Sequence, residues 1–306
     1  MDRTRLSLLA ALVSGALVAV QTRVNAALAV HLGDALLAAV LSFALGLVAV
    51  VVLVTARSSA RTALPLLASA PWWSFLGGFG GATLVAVAAY VAPRLGVALL
   101  SLGIVAGQTA GGLLVDRLGV APGGVHHLTR PRVVGALVCL LAVAVSVFGR
   151  GAGEASPALL LLALLAGLLV AFQQAFNGRV RRVTGDAFVA TFVNFVVGLS
   201  VLLLAYGLVG LRGGWSVEQW PEIGDWFLYT GGPIGVAFVA VAAMVVRTLG
   251  VLRLGLAVIA GQLLGAVLLD LSVPAAAHGV AAATLVGVAL TFVAIGITGR
   301  PARAAA

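Results

Sequence analysis

The feature that limits this chain most is a series of ten apolar segments, each close to the ~20 residues an α-helix needs to cross a hydrocarbon core. They occupy residues 6–28, 34–56, 72–92, 96–115, 132–149, 158–178, 186–211, 226–246, 251–271 and 279–299. Polar or Pro/Gly clusters separate them, such as Arg57-Ser58-Ser59, Pro93-Arg94, Pro122-Gly123-Gly124, Arg212-Gly213-Gly214 and Pro274. The runs are too long for strands and lack the alternation of a membrane barrel. Of 306 residues, 62% are hydrophobic and 9% charged, against roughly a quarter charged in soluble domains. Such a chain has too little polar surface to stay dissolved, so the lipid bilayer is its expected solvent. One cysteine, Cys139, lies inside an apolar run and reads as packing. It cannot form an intrachain disulfide, and no metal-ligand spacing exists. Neither a metal nor a cofactor is expected.

All 18 basic residues are arginine, and the formal net charge is +9. They sit singly or in short groups at segment ends without forming a basic face, which sets nucleic acid aside and makes them a topology signal. With the N-terminus inside, fourteen arginines fall on the cytoplasmic side and four, Arg23, Arg94, Arg150 and Arg212, outside. Both termini are therefore expected in the cytoplasm, with the chain in a bacterial-type inner membrane. Arg3 and Arg5 ahead of the first segment resemble a signal peptide, with Val24-Asn25-Ala26 as a cleavage site. The same stretch recurs in mid-chain, where a signal peptide has no place. Trp72, Trp73, Trp215, Trp220 and Trp226 flank segments and read as interfacial anchors.

The recurrence is extensive. A shift of 152 places Gly15 to Leu47 on Gly167 to Leu199 without a gap. Gln21 then meets Gln173, Asn25 meets Asn177, Gly33-Asp34 meets Gly185-Asp186, Phe43 meets Phe195 and Gly46 meets Gly198. A shift of 154 places Gly77-Gly78 on Gly231-Gly232, Leu95-Gly96 on Leu249-Gly250, Ala106-Gly107-Gln108 on Ala260-Gly261-Gln262, and Asp116 on Asp270. Apolar runs align by chance; rare polar residues in the same order do not. The chain is expected to be an all-α polytopic membrane protein of two units, 1–150 and 151–306. Each unit has five spans, an odd number, so the second inserts upside down relative to the first. The arginines agree. The loop after span 1 carries Arg23 alone, while its counterpart carries Arg179, Arg181 and Arg182. Inverted repeats of this kind are typical of transporters.

The paired Gln-x-x-x-Asn, Gly-Asp and Phe-x-x-Gly blocks, with the paired Ala-Gly-Gln and Asp blocks, resemble the YdcZ-type family of inner-membrane transporters, within the drug/metabolite transporter superfamily. That resemblance spans nearly the whole chain. It implies a fused ten-helix form, with single five-helix relatives that pair antiparallel, and export of small molecules whose identity the family leaves open.

Within the spans, the amides Gln21, Asn25, Gln108, Gln173, Gln174, Asn177, Asn194 and Gln262 are the candidates for lining a substrate path. An amide in lipid must find a partner, so each faces the bundle or a wet cavity. The competing reading is interhelical glue worth ~0.6–2 kcal/mol per contact. Asp34, Asp116, Asp186 and Asp270 lie near span ends and are candidates for proton coupling or, more simply, for helix caps. No acid sits in mid-span, which favours a neutral polar, zwitterionic or anionic substrate over a cationic drug. Gly103, Gly107, Gly111, Gly261 and Gly265 form small-residue stripes suited to close packing. Gly77-Gly78 and Gly231-Gly232-Pro233 are candidates for local breaks in spans 3 and 8. The four histidines fall in loops or at span ends, and no nucleophile–base arrangement recurs, so no enzyme is expected. The main rival is a membrane partner that transports nothing and whose amides only pack. The fused repeat supplies an internal pair, so a monomer suffices; a dimer stays open.

Overall fold

The computed structural model describes residues 3–120, 124, 130–148, 156–214, 217–272 and 282–298. The His126-His127 pair, Trp215, His278 and the side chain of Cys139 lie outside the described residues. Among the described residues, every regular element is helical. The α-helices are α1 (Arg3–Leu32), α2 (Ala35–Ala56), α3 (Ser58–Ala63), α4 (Gly77–Leu95), α5 (Val97–Leu118), α6 (Arg130–Phe148), α7 (Pro157–Thr184), α8 (Ala187–Gly210), α9 (Gly231–Ser272) and α10 (Ala282–Thr298). Short 3-10 turns cover Leu64–Ser69, Trp72–Leu76 and Ile223–Tyr229. Among the described residues, six helices are long and apolar enough to cross a membrane: Arg5–Leu32, Ala35–Ala56, Trp72–Leu95, Val97–Leu118, Pro157–Thr184 and Ala187–Gly210. Trp72, Trp220 and Trp226 are exposed, whereas Trp73 packs on Phe176 with ring centroids 5.5 Å apart.

The repeated Gly-Asp dipeptide has a local explanation. Gly33 (φ 69°) and Gly185 (φ 72°) take the left-handed conformation that ends α1 and α7, which a Cβ would strain. The next residue then starts a new helix. Asp34 accepts from the backbone N–H groups of Leu36 and Leu37, and Asp186 from those of Phe188 and Val189. One residue stops a helix and its neighbour caps the next, which makes a tight corner between long helices.

The two expected spans, 226–246 and 251–271, fall in one continuous helical run of 42 residues, α9. Its packing shows that it is not straight. Gly235 lies against Gln21 and Gly261 against Leu12. Straight helix would separate Gly235 from Gly261 by roughly 39 Å, while Gln21 and Leu12 stand roughly 14 Å apart on α1. From Gly231 to Gly235 the contacts descend α1, from Asn25 to Gln21; from Gly261 to Gly265 they ascend it, from Leu12 to Ala16. The chain therefore reverses direction between Gly235 and Gly261, and α9 lays two antiparallel legs on α1.

The same contacts recur on α7. Gly77 lies against Asn177 and Gly81 against Gln173, on a leg antiparallel to α7; Gly107 meets Leu164 and Gly111 meets Leu168, on a parallel leg. Each pair is an α1–α9 pair moved by 152 on one helix and 154 on the other. A contact between one half's first helix and the other's third or fourth is thus always matched by its reciprocal, the signature of a self-complementary two-fold interface. At the centre, α2 crosses α8. Phe43 rests on Gly198 and Phe195 on Gly46, with the two rings 5.0 Å apart.

The seams have no room for side chains. A methyl group at Gly107 would run into the Leu164 carbonyl oxygen, and one at Gly261 into that of Leu12. Gly112, on the same helix as Gly107, has open space around it. Gly107→Ala and Gly261→Ala are each expected to lower stability by ~1–3 kcal/mol, read as a fall in the thermal midpoint in detergent. Gly112→Ala should leave the midpoint unchanged or raise it through helix propensity.

Candidate functional site

The amides of α1 and α7 fall into two clusters at equivalent places. On α7, Gln173 and Asn177 are four residues apart and share one helix face. Both donate to Asn194 Oδ1 on α8, Gln173 Nε2 at 2.9 Å and Asn177 Nδ2 at 3.1 Å. Asn194 is buried at 6% exposure. On α1, Gln21 and Asn25 repeat the spacing, but the position matching Asn194 is Ser42. Among the described residues no hydrogen bond joins the shorter Ser42 side chain to either amide. Asn25 is 2% exposed, and its Oδ1 is sealed from solvent with no hydrogen-bond partner. Such an orphan costs ~1–3 kcal/mol and calls for an explanation. The α7 cluster is closed on itself, and the α1 cluster is open.

Both clusters press on the other half. Asn25 Oδ1 fills the space beside Gly231, where a Cβ would collide with it, and the Gln21 amide lies beside Gly235. Gly231, Gly232 and Pro233 open α9, just after the 3-10 turn that ends at Tyr229. Gly77-Gly78 likewise open α4. These glycines thus do not break a span in its middle, as the sequence had allowed. They begin helices, and their bareness admits the asparagines of the opposite half.

The remaining amides lie elsewhere. The Gln108 backbone abuts Gly167 in the α5–α7 seam, and the Gln262 backbone abuts Gly15 in the α9–α1 seam. Gln262 is buried and Gln108 half-buried; neither bonds to the two clusters. Gln174 is exposed on α7, turned away from the face that carries Gln173.

Three of the four carboxylates cap helices. Asp34 and Asp186 do so locally. Asp270, 6% exposed at the end of α9, accepts from the backbone N–H groups of Val97 (3.1 Å) and Ala98 (2.7 Å) at the start of α5. This cap ties the second half to the first. Gly96 makes room for it, with φ 81° and with Asp270 Oδ2 2.9 Å from where a Cβ would stand. Asp116 is half-buried near the end of α5. Sequence reasoning missed the Asp270 contact, although Leu95-Gly96 and Asp270 both belong to repeated blocks.

The molecule is thus an all-helical membrane protein whose two halves share one plan and meet through paired seams, with polar clusters placed between them. The model of the family described as "Putative inner membrane exporter, YdcZ" matches it twice, over residues 6–145 and 158–297. The chain belongs to this YdcZ family. Comparison with curated proteins gave no match. A solved crystal structure of a protein 21% identical superposes over 98% of this chain and 97% of its own, with a TM-score of 0.59. That likeness establishes a shared fold.

Removing the Asp270 cap strands two N–H groups at a buried junction. Asp270→Ala is expected to cost ~1–3 kcal/mol, against about 1 kcal/mol for the more exposed cap in Asp34→Ala. Thermal unfolding of the two purified variants checks the order; a smaller loss for Asp270→Ala would mean that this cap does not hold the halves together.

Proposed function

We propose that this protein is a secondary exporter of a small polar molecule, working by alternating access between two inverted five-helix units with ten spans in all. The single observation that carries the reading is the inequality of the two amide clusters. A packing role predicts that both are joined internally, as Gln173, Asn177 and Asn194 are by two side-chain hydrogen bonds. Gln21, Asn25 and Ser42 instead leave an acceptor buried and unbonded at the start of α9. A substrate carrying hydroxyl, amide or ammonium hydrogens would satisfy it, with Gln21 as a second hydrogen-bonding arm. Gln108 and Gln262, in the seams that would open and close, are proposed to line the same path.

The reciprocal seams support a rocking motion, because each half can tilt only against the glycine faces of the other. The odd span count and the arginine bias support opposite insertion and cytoplasmic termini. No acid lies among the described amides, so the proposal has the substrate bound by dipoles rather than by an ion pair, which suits a neutral or zwitterionic compound. The chain holds no lysine and hence no Gly-Lys phosphate loop, so the driving force is a gradient of the substrate or of an ion. For the α7 cluster the packing reading is favoured by its closed hydrogen bonds.

Metabolite profiling of a bacterial host tests this, with cells carrying empty vector, wild type or Ser42→Asn at matched membrane levels. Wild type should deplete a polar compound inside the cell and enrich it in the medium. Ser42→Asn supplies the carbonyl and amide that close the α7 cluster. It is expected to cut that export roughly tenfold or more, the worth of one lost buried hydrogen bond, while raising the thermal midpoint. Wild type indistinguishable from empty vector over a broad panel and several gradients would contradict export and favour a membrane partner.

A further inference from the structure

On the outer flank of the bundle, a groove of about 370 Å³ runs between α8 and the segment joining α3 to α4. Leu67 and Ala68 of one 3-10 turn and Phe75 of the next form one wall; Phe192, Val193 and Val196 of α8 form the other. Its lining is almost wholly apolar, and it is open to the side rather than to the amide clusters. Two arginines stand at its end. Phe188, Phe192 and Val196 follow each other at four-residue intervals on one face of α8, and the Arg57 guanidinium lies 4.7 Å from the Phe188 ring. Arg57 is therefore about one helical turn, roughly 6 Å, above the groove's first lining residue. Arg61 lies one turn further along the same segment and donates to the Thr55 carbonyl. Among the described residues, neither arginine has a carboxylate within ion-pair distance. The nearby acid, Asp186, is engaged by Phe188, Val189 and the Ser59 hydroxyl.

We infer that this groove is a binding site for one anionic phospholipid, its acyl chain between Leu67 and Phe192 and its phosphate on Arg57 and Arg61. Exposed guanidiniums beside an apolar slot match a charged head joined to an apolar tail, and both arginines fall on the side that the charge bias assigns to the cytoplasm. The equivalent end of the other half is unlike it. There His31 faces Asp225 at 3.9 Å, Glu218 donates its backbone N–H to the Leu32 carbonyl, and the loop carries Arg212 together with the acids Glu218, Glu222 and Asp225. The site is one-sided although the frame is two-fold.

Detergent-purified full-length protein would be titrated with dioleoylphosphatidylglycerol or dioleoylphosphatidylcholine, with bound lipid counted by native mass spectrometry and stability read as the thermal midpoint. Wild type should prefer the anionic lipid roughly 30-fold, from about 1 kcal/mol for each arginine at a membrane surface, and gain midpoint with it. Arg57→Gln/Arg61→Gln should lose that preference, Arg57→Lys/Arg61→Lys should keep most of it, and Ala68→Phe, which fills the groove, should lose the bound lipid with an unchanged midpoint in detergent alone. Equal binding of both lipids by wild type, or full anionic preference in the glutamine variant, overturns the proposal. The substrate reading is untouched by either result, since no residue of the amide clusters is involved.

Discussion

Helices in a bilayer gain nothing by hiding apolar side chains from lipid tails that are equally apolar, so their association rests on close packing and on polar contacts. Here that packing is carried by glycines. Gly15 faces the Val258 carbonyl, Gly261 that of Leu12, Gly107 that of Leu164 and Gly167 that of Ile104, each too near for any side chain. All four contacts join one half to the other. Fill them and α1 is pushed from α9, and α7 from α5. The amide clusters lose their walls, and the Asp270 cap loses its helix.

A frame built this way repeats itself, yet the chemistry placed in it does not. Asn194 closes one cluster and Ser42 leaves the other open, a difference of a single residue at matched positions. Arg57 and Arg61 line one end of the molecule, whereas the matching end combines Arg212 with Glu218, Glu222, Asp225 and His31. Under the proposed exporter function, the symmetric backbone contacts would allow two states of similar packing, the seams would supply the motion, and a few polar atoms would supply the selection.

Much of this was legible in the sequence, because its signals are local. Apolar run length marked the helices, and Gly33-Asp34 and Gly185-Asp186 announced corners that need a left-handed stop and a cap. The duplicated order of Gln, Asn, Gly and Phe announced two copies. What escaped was contact between residues far apart in the chain. Nothing local says that Asp270 caps α5 or that Asn25 nests on Gly231. The glycines of spans 3 and 8 looked like breaks because glycine signals both weak helix and close approach, and only a neighbour decides which. The reversal within α9 was legible too: one apolar segment ends at 246 and the next begins at 251 with Arg247 between them, although the helical run continues through both.

Opposite insertion of the two halves is the claim on which alternating access depends. It is tested by single cysteines in a Cys139→Ser background. Thr62→Cys follows the second helix of the first half, and Glu222→Cys follows the second helix of the other; both positions are exposed. A membrane-impermeant maleimide applied to intact spheroplasts should label Glu222→Cys at once and Thr62→Cys only after lysis. Labelling of both from the same side would place the halves in the same orientation and contradict the account.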